Sequence, residues 1–189
     1  MSKRLNRKTL KAKVCYCFQV GDKKRVMLLL IIIILLLVAA YSGYVTFEWR
    51  AEKEKINVIK DCATDLSDHP LLEIADAGSM LENLIENNAS DEILRERIRQ
   101  YPVSARTLKN SSLILYKATE DEKHLLFRTA MANFEDFLIS VSKRHDYRIV
   151  LKENLDIMKN IGKELKKRIT DLTKEEVEKI LELSAELGA

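Results

Sequence analysis

The stretch that decides how this chain is built runs from Val26 to Phe47, VMLLLIIIILLLVAAYSGYVTF, 22 consecutive residues without a charged side chain. At about 1.5 Å of rise per residue it reaches roughly 33 Å as a helix, the thickness of a bilayer's hydrocarbon core. Inside hydrocarbon no water meets the peptide N–H and C=O groups, so a lone segment satisfies them only as a helix. A core helix of a soluble protein carries its apolar residues on one face, whereas Leu, Ile and Val go all the way round this one. The stretch therefore reads as a transmembrane signal-anchor. A cleaved signal peptide is the competing reading, because the leading segment is basic and Val38-Ala39-Ala40 offers small residues for cleavage near Ala40. The full spanning length and the 25 residues ahead of it disfavour cleavage.

Nine Lys and Arg precede the span, three of them (Lys23, Lys24, Arg25) directly against it, while Arg50, Lys53, Lys55 and Lys60 are the four in the 25 residues after. Basic residues stay on the cytoplasmic side, so the N-terminus is expected in the cytoplasm and residues 48–189 outside it, with the protein in the cell membrane as a single-pass chain. Charge divides the same way: residues 1–25 carry net +8 and residues 48–189 net −5, and the overall +3 averages the two. A basic tail of this kind meets anionic lipid headgroups, so membrane lipid is an expected partner. No nucleic-acid-binding module surrounds it, and no nucleic acid is expected. Tyr44 and Trp49, with Lys23, Lys24 and Arg25 at the other end, are the expected membrane-interface anchors.

Five Gly and two Pro in 189 residues are too few turn formers for a many-stranded sheet protein, and 47% hydrophobic content is too high for a disordered chain. The body at 48–189 reads as an all-α bundle of about five to six helices. Its first stripe is Val45, Trp49, Glu52, Ile56, Ile59, Ala63 and Leu66, spaced alternately by four and three. Such a period starting inside the span implies one helix that leaves the membrane and joins a bundle or coiled coil. Apart from Glu52, these residues form an expected interhelix or self-association stripe. Ser67-Asp68-His69-Pro70 reads as the end of that helix, with a sharp turn before a second helix over about 71–87. Asn87-Asn88-Ala89-Ser90 is the next break, with Ser90 or Asp91 as cap.

Leu94, Ile98, Tyr101, Ala105, Leu108, Ser112 and Leu115 form a third stripe, in which Pro102 predicts a kink or two short helices. Thr119-Glu120-Asp121-Glu122 matches a capping box and predicts a helix start near 120. The face that follows is Leu126, Phe127, Ala130, Met131, Phe134, Phe137, Leu138 and Val141, whose three Phe suit the centre of a core. The heptad resumes out of phase as Leu151, Leu155, Met158, Gly162, Leu165, Ile169 and Leu172, which places a turn near Arg144–Tyr147. Gly162 in that seam predicts a close helix crossing. Thr173-Lys174-Glu175-Glu176 is a second capping box, opening a last helix with Val177, Ile180, Leu181, Ser184 and Leu187.

Chemistry-bearing patterns are almost absent. A di-metal carboxylate bundle needs Glu-x-x-His twice, and the chain has only Asp121-x-x-His124; His124 reads instead as an exposed surface pair with Glu120. His69 and His145 read as solvated turn residues. No P-loop, nucleophile elbow, H-E-x-x-H or C-x-x-C occurs, and Gly21, Gly43, Gly78, Gly162 and Gly188 are too scattered to cradle phosphate. No catalytic residue, metal or cofactor is expected, and the protein is not expected to be an enzyme. Cys15 and Cys17 lie in the tail at a spacing unlike zinc sites, and Cys62 is a candidate for an intermolecular disulfide. Asn88-Ala89-Ser90 and Asn110-Ser111-Ser112 match the glycosylation acceptor pattern. The sequence thus points to a membrane-anchored, non-catalytic interaction or scaffold module with a protein partner or a second copy. The alternative is a ligand-sensing bundle acting with a separate transmembrane signalling partner.

Overall fold

The structure is a computed structural model that describes the backbone of residues 7–188 and side chains from residue 24 onward. It is all-helical, with five helices and no strand among the described residues: α1 Arg7–Glu86, α2 Asp91–Thr119, α3 Lys123–Ser142, α4 Tyr147–Glu164 and α5 Lys174–Ala185. The chain divides into two compact units, Met1–Lys53 and Glu54–Ala189, and α1 contributes to each.

In the first unit the only described element is helical. Its residues 26–47 keep their side chains exposed, and none of its most apolar window is buried against protein. It is long and apolar enough to cross a membrane. The Thr46 hydroxyl donates to the Ser42 carbonyl at 2.8 Å, which satisfies that polar group within the helix itself.

The second unit has a continuous core. Phe127, Phe134 and Met131 of α3 are wholly buried together with Ile74 and Leu81 of α1, Leu94, Ile98, Leu108 and Leu115 of α2, and Leu151 and Met158 of α4. The α3 helix packs on α2, α4 and α5, so its apolar face does lie among the others. Every residue of the expected α2 stripe is buried, as is every residue of the Leu151–Leu172 stripe.

Several expected boundaries are corrected. Ser67-Asp68-His69-Pro70 does not end a helix: α1 runs on to Glu86 with Pro70 inside it. Ser67, Leu71 and Ile74 are buried on one face across the proline, and that burial holds the helical path. The carbonyl that Pro70 leaves without its helical donor belongs to Leu66, an exposed residue that water reaches. Pro102 likewise lies within one α2 rather than between two short helices, flanked by buried Tyr101, Ser104 and Ala105. No capping box forms at Thr119. Glu120, at φ 56°, ends α2 in the left-handed region, and α3 starts at Lys123, whose N–H donates to the Asp121 carboxylate at 3.0 Å. The N-cap position is Glu122, which makes no side-chain capping bond, while the Thr119 hydroxyl accepts from Asp121 N–H at 3.2 Å in the turn before it. Finally, α4 stops at Glu164, yet Leu165, Ile169 and Leu172 stay buried in the irregular segment after it.

Other boundaries agree. The Ser90 hydroxyl accepts from Ile93 N–H and caps α2. The break between α3 and α4 falls at residues 143–146. At Thr173 both halves of the capping box are present, Glu176 N–H to the Thr173 hydroxyl at 3.2 Å and Thr173 N–H to the Glu176 carboxylate at 2.8 Å. The expected close crossing is found between α1 and α4. A Cβ on Gly162 would sit 2.1 Å from the Ala75 carbonyl oxygen, and one on Gly78 would sit 2.7 Å from the Lys159 backbone nitrogen.

Candidate interaction surface

The side-chain surroundings described for the first unit begin at Lys24, so Lys23 lies outside them, as do the tail residues Cys15 and Cys17. Lys24 and Arg25 are exposed at one end of the apolar run. At the other end the Tyr44 hydroxyl donates to the Glu48 carboxylate, and the Lys53 ammonium sits 5.2 Å from the centre of the Trp49 ring. An aromatic body beside polar and cationic partners suits a boundary between hydrocarbon and water.

The expected stripe on α1 separates into two sets. Val45 and Trp49 are exposed and belong to the first unit. In the second unit Ala63 is packed in the domain's own core, so its role is interhelix packing. Ile56 is half-buried, and Ile59 and Leu66 are exposed, at 40% and 54%. Ile59, Ala63 and Leu66 are spaced by four and three, but the core covers only Ala63 among them. Cys62 is a free, exposed thiol lying between Ile59 and Leu66 on α1. Residues 59, 62 and 66 are three and four apart and so share one outward face, with Val58 beside them. Sequence reading missed this face by assigning Ile59 and Leu66 to the same side as Ala63. The spacing does not separate them; the cover that neighbouring helices give to Ala63 does.

The charged groups near the core are held by partners. Glu135 is buried, and its carboxylate accepts from Arg106 at 2.7 Å and from Lys109 at 2.5 Å. Burial alone would push the Glu135 carboxyl up, but Lys109 and Arg106 outweigh it and hold it below the usual range. In the turn before α4, Arg144 grips Asp146 with two hydrogen bonds of 2.8 Å and lowers its carboxyl to about 2. Arg148 bonds the Asp91 carboxylate and the Ala89 carbonyl, and Arg95 lies over the buried Tyr147 ring at 4.1 Å. These contacts tie helix ends together.

His124 corrects the expectation of an exposed pair: it is 4% exposed, and Glu120 belongs to the end of α2 instead. His145 is exposed as expected, and His69 is exposed but helical, with Glu73 3.8 Å away. Among the described residues no group of three or more His, Cys, Asp or Glu could hold a metal ion. An open groove of about 350 Å³ lies beside the glycine crossing, lined by Leu72, Ala75, Ser79, Lys163 and Lys166 among others. No protein-family model, no curated protein and no solved structure matches the chain.

Proposed function

We propose that this chain is a single-pass membrane protein with a cytoplasmic N-terminus, whose helical domain at 48–189 lies outside the cytoplasm as a non-catalytic interaction module. The observation that carries the reading is the helix itself. An apolar run with no protein cover is followed on the same helix by the exposed apolar face at Ile59, Cys62 and Leu66. Chains anchored in one membrane project in the same direction from the same depth, which suits a protein partner or a second copy meeting that face. The wholly buried Phe127 and Phe134 favour this module over a ligand-sensing bundle, which would need a polar cavity inside the core.

Two measurements test it. In sealed cells a membrane-impermeant maleimide is expected to label Cys62 and to spare Cys15 and Cys17; the reverse pattern overturns the orientation. Chemical crosslinking of the full chain in its membrane is expected to give a discrete higher-mass species that weakens in the Ile59→Asp, Leu66→Asp double variant. A chain that stays monomeric and captures no partner overturns the interaction role.

A further inference from the structure

One end of the second unit buries an imidazole that no carboxylate hydrogen-bonds. His124 lies on the first turn of α3, 4% exposed, and no hydrogen bond supports its charged form. Its chain neighbour Lys123 is largely buried and donates to two backbone carbonyls, Thr170 at 3.1 Å and Leu172 at 2.9 Å. Those carbonyls belong to the irregular segment between α4 and α5, which carries Leu165, Ile169 and Leu172 at 1% exposure without a helix to hold them. The Lys123 clasp and the burial of three side chains hold this segment down, together with the more exposed pairs Arg168–Asp68 and Lys167–Glu176.

The charges that bear on the ring are unequal. Lys123 beside it and Lys60 from α1 oppose a positive imidazole, while Asp121, 3.8 Å from Lys123, favours one. In the clasped segment Lys167 and Arg168 are engaged by Glu176 and Asp68, and Lys166 and Asp171 are exposed. Lys117 and Glu120 at the end of α2 are exposed as well. Burial, then Lys123, holds the imidazole below its ordinary range despite Asp121.

We propose that His124 is a pH-sensitive latch on the 165–173 segment: a proton taken up by the ring adds a positive charge to a largely buried corner that already holds Lys123, and the segment detaches to relieve it. The sign follows from linkage. The closed corner binds the proton less readily than the open one, so the closed form is undiminished above the ordinary imidazole value of about 6.5 and weakens as pH falls below it. Each unit by which closure lowers the ring's proton affinity shifts the open-to-closed ratio about tenfold. Opening would present Leu165, Ile169 and Leu172 to a partner under acidic conditions only.

The test is hydrogen exchange on the full chain in detergent micelles, at about pH 7.5 and about pH 5. Protection of the amides of Ile169–Leu172, taken relative to their intrinsic exchange rates, is expected to fall about tenfold at the lower pH while Phe134–Leu138 keep theirs. In His124→Gln the loss is expected to vanish, and in Lys60→Gln to shrink. Unchanged protection in the wild-type chain, or an equal loss in His124→Gln, overturns the latch. Should that variant fail to fold, the wild-type ring itself decides by NMR: protonation below the ordinary imidazole range supports the proposal, and protonation at or above it refutes it.

Discussion

Gly162 shows how much one missing methyl group decides. With its would-be Cβ 2.1 Å from a backbone oxygen of α1, no side-chain adjustment makes room, and the two helices must separate. Gly162→Ala is therefore expected to lower stability by about 2 kcal/mol or more through overpacking, despite alanine's better helix propensity, read as a drop in the thermal midpoint of the full chain in detergent. Gly43, with nothing within 4 Å of its Cβ position, is the control, and Gly43→Ala should leave the midpoint near its starting value. Glu135 makes the complementary point for charge. Its carboxyl is held low by Lys109 and Arg106, so the stabilisation is whole above the ordinary value of 4.5 and is lost as pH falls through the lowered one. Acid titration of the fold should show this limb in the wild-type chain and a shallower one in Glu135→Gln. Removing both cations, in Arg106→Met with Lys109→Met, leaves a buried carboxylate unpaired and should cost about 3 kcal/mol at neutral pH.

At the scale of elements, the apolar stripes were read well and the punctuation between them less well. Leu94 to Leu115 and Leu151 to Leu172 are buried along their whole length because burial follows the spacing of apolar residues, whether or not the backbone stays helical. Leu165, Ile169 and Leu172 show this plainly, since they keep their places in the core after α4 has ended. Breaks depend instead on competition that one residue cannot reveal. Pro70 is overruled by the burial of Ser67, Leu71 and Ile74 around it, and Glu120 is taken by the left-handed end of α2, so α3 starts only at Lys123. The self-association stripe was legible as apolar spacing, but its division at Ala63 and Leu66 depends on which neighbours cover it. The two positions expected to form capping boxes give a direct comparison. Thr173→Ala removes the hydroxyl that accepts from Glu176 N–H, leaving only the reciprocal bond from the residue 173 N–H to the Glu176 carboxylate, and should cost about 1 kcal/mol, whereas Thr119→Ala should cost less because no box forms there. Urea midpoints of the two variants measured side by side decide it, and equal losses would mean that the Thr173 box contributes nothing of its own.

For the whole molecule the contrast is between what each unit does with its apolar surface. Residues 54–189 fold most of theirs inward, around Phe127 and Phe134. Residues 26–47 fold none of it against protein: Leu35, Leu36 and Leu37 are each more than 60% exposed. Exposed side chains in such a continuous run, each worth roughly 1.5–3 kcal/mol on burial, cannot be left in water by a stable soluble protein. Full-length chain should therefore remain with the membrane fraction through high salt and alkaline carbonate and leave it only in detergent. High salt separates this from attachment by the basic tail alone, which screening would release. Placing Lys at Ile33 and Leu36 exchanges two favourable residues near the middle of the run for two that each cost about 3 kcal/mol to insert. That variant should shift largely to the soluble fraction or aggregate, while a chain beginning at Glu54 should be soluble and helical. Recovery of the unaltered full-length chain from the soluble pool, with its helices intact, would mean that another protein surface covers residues 26–47, and the anchor would have to be given up.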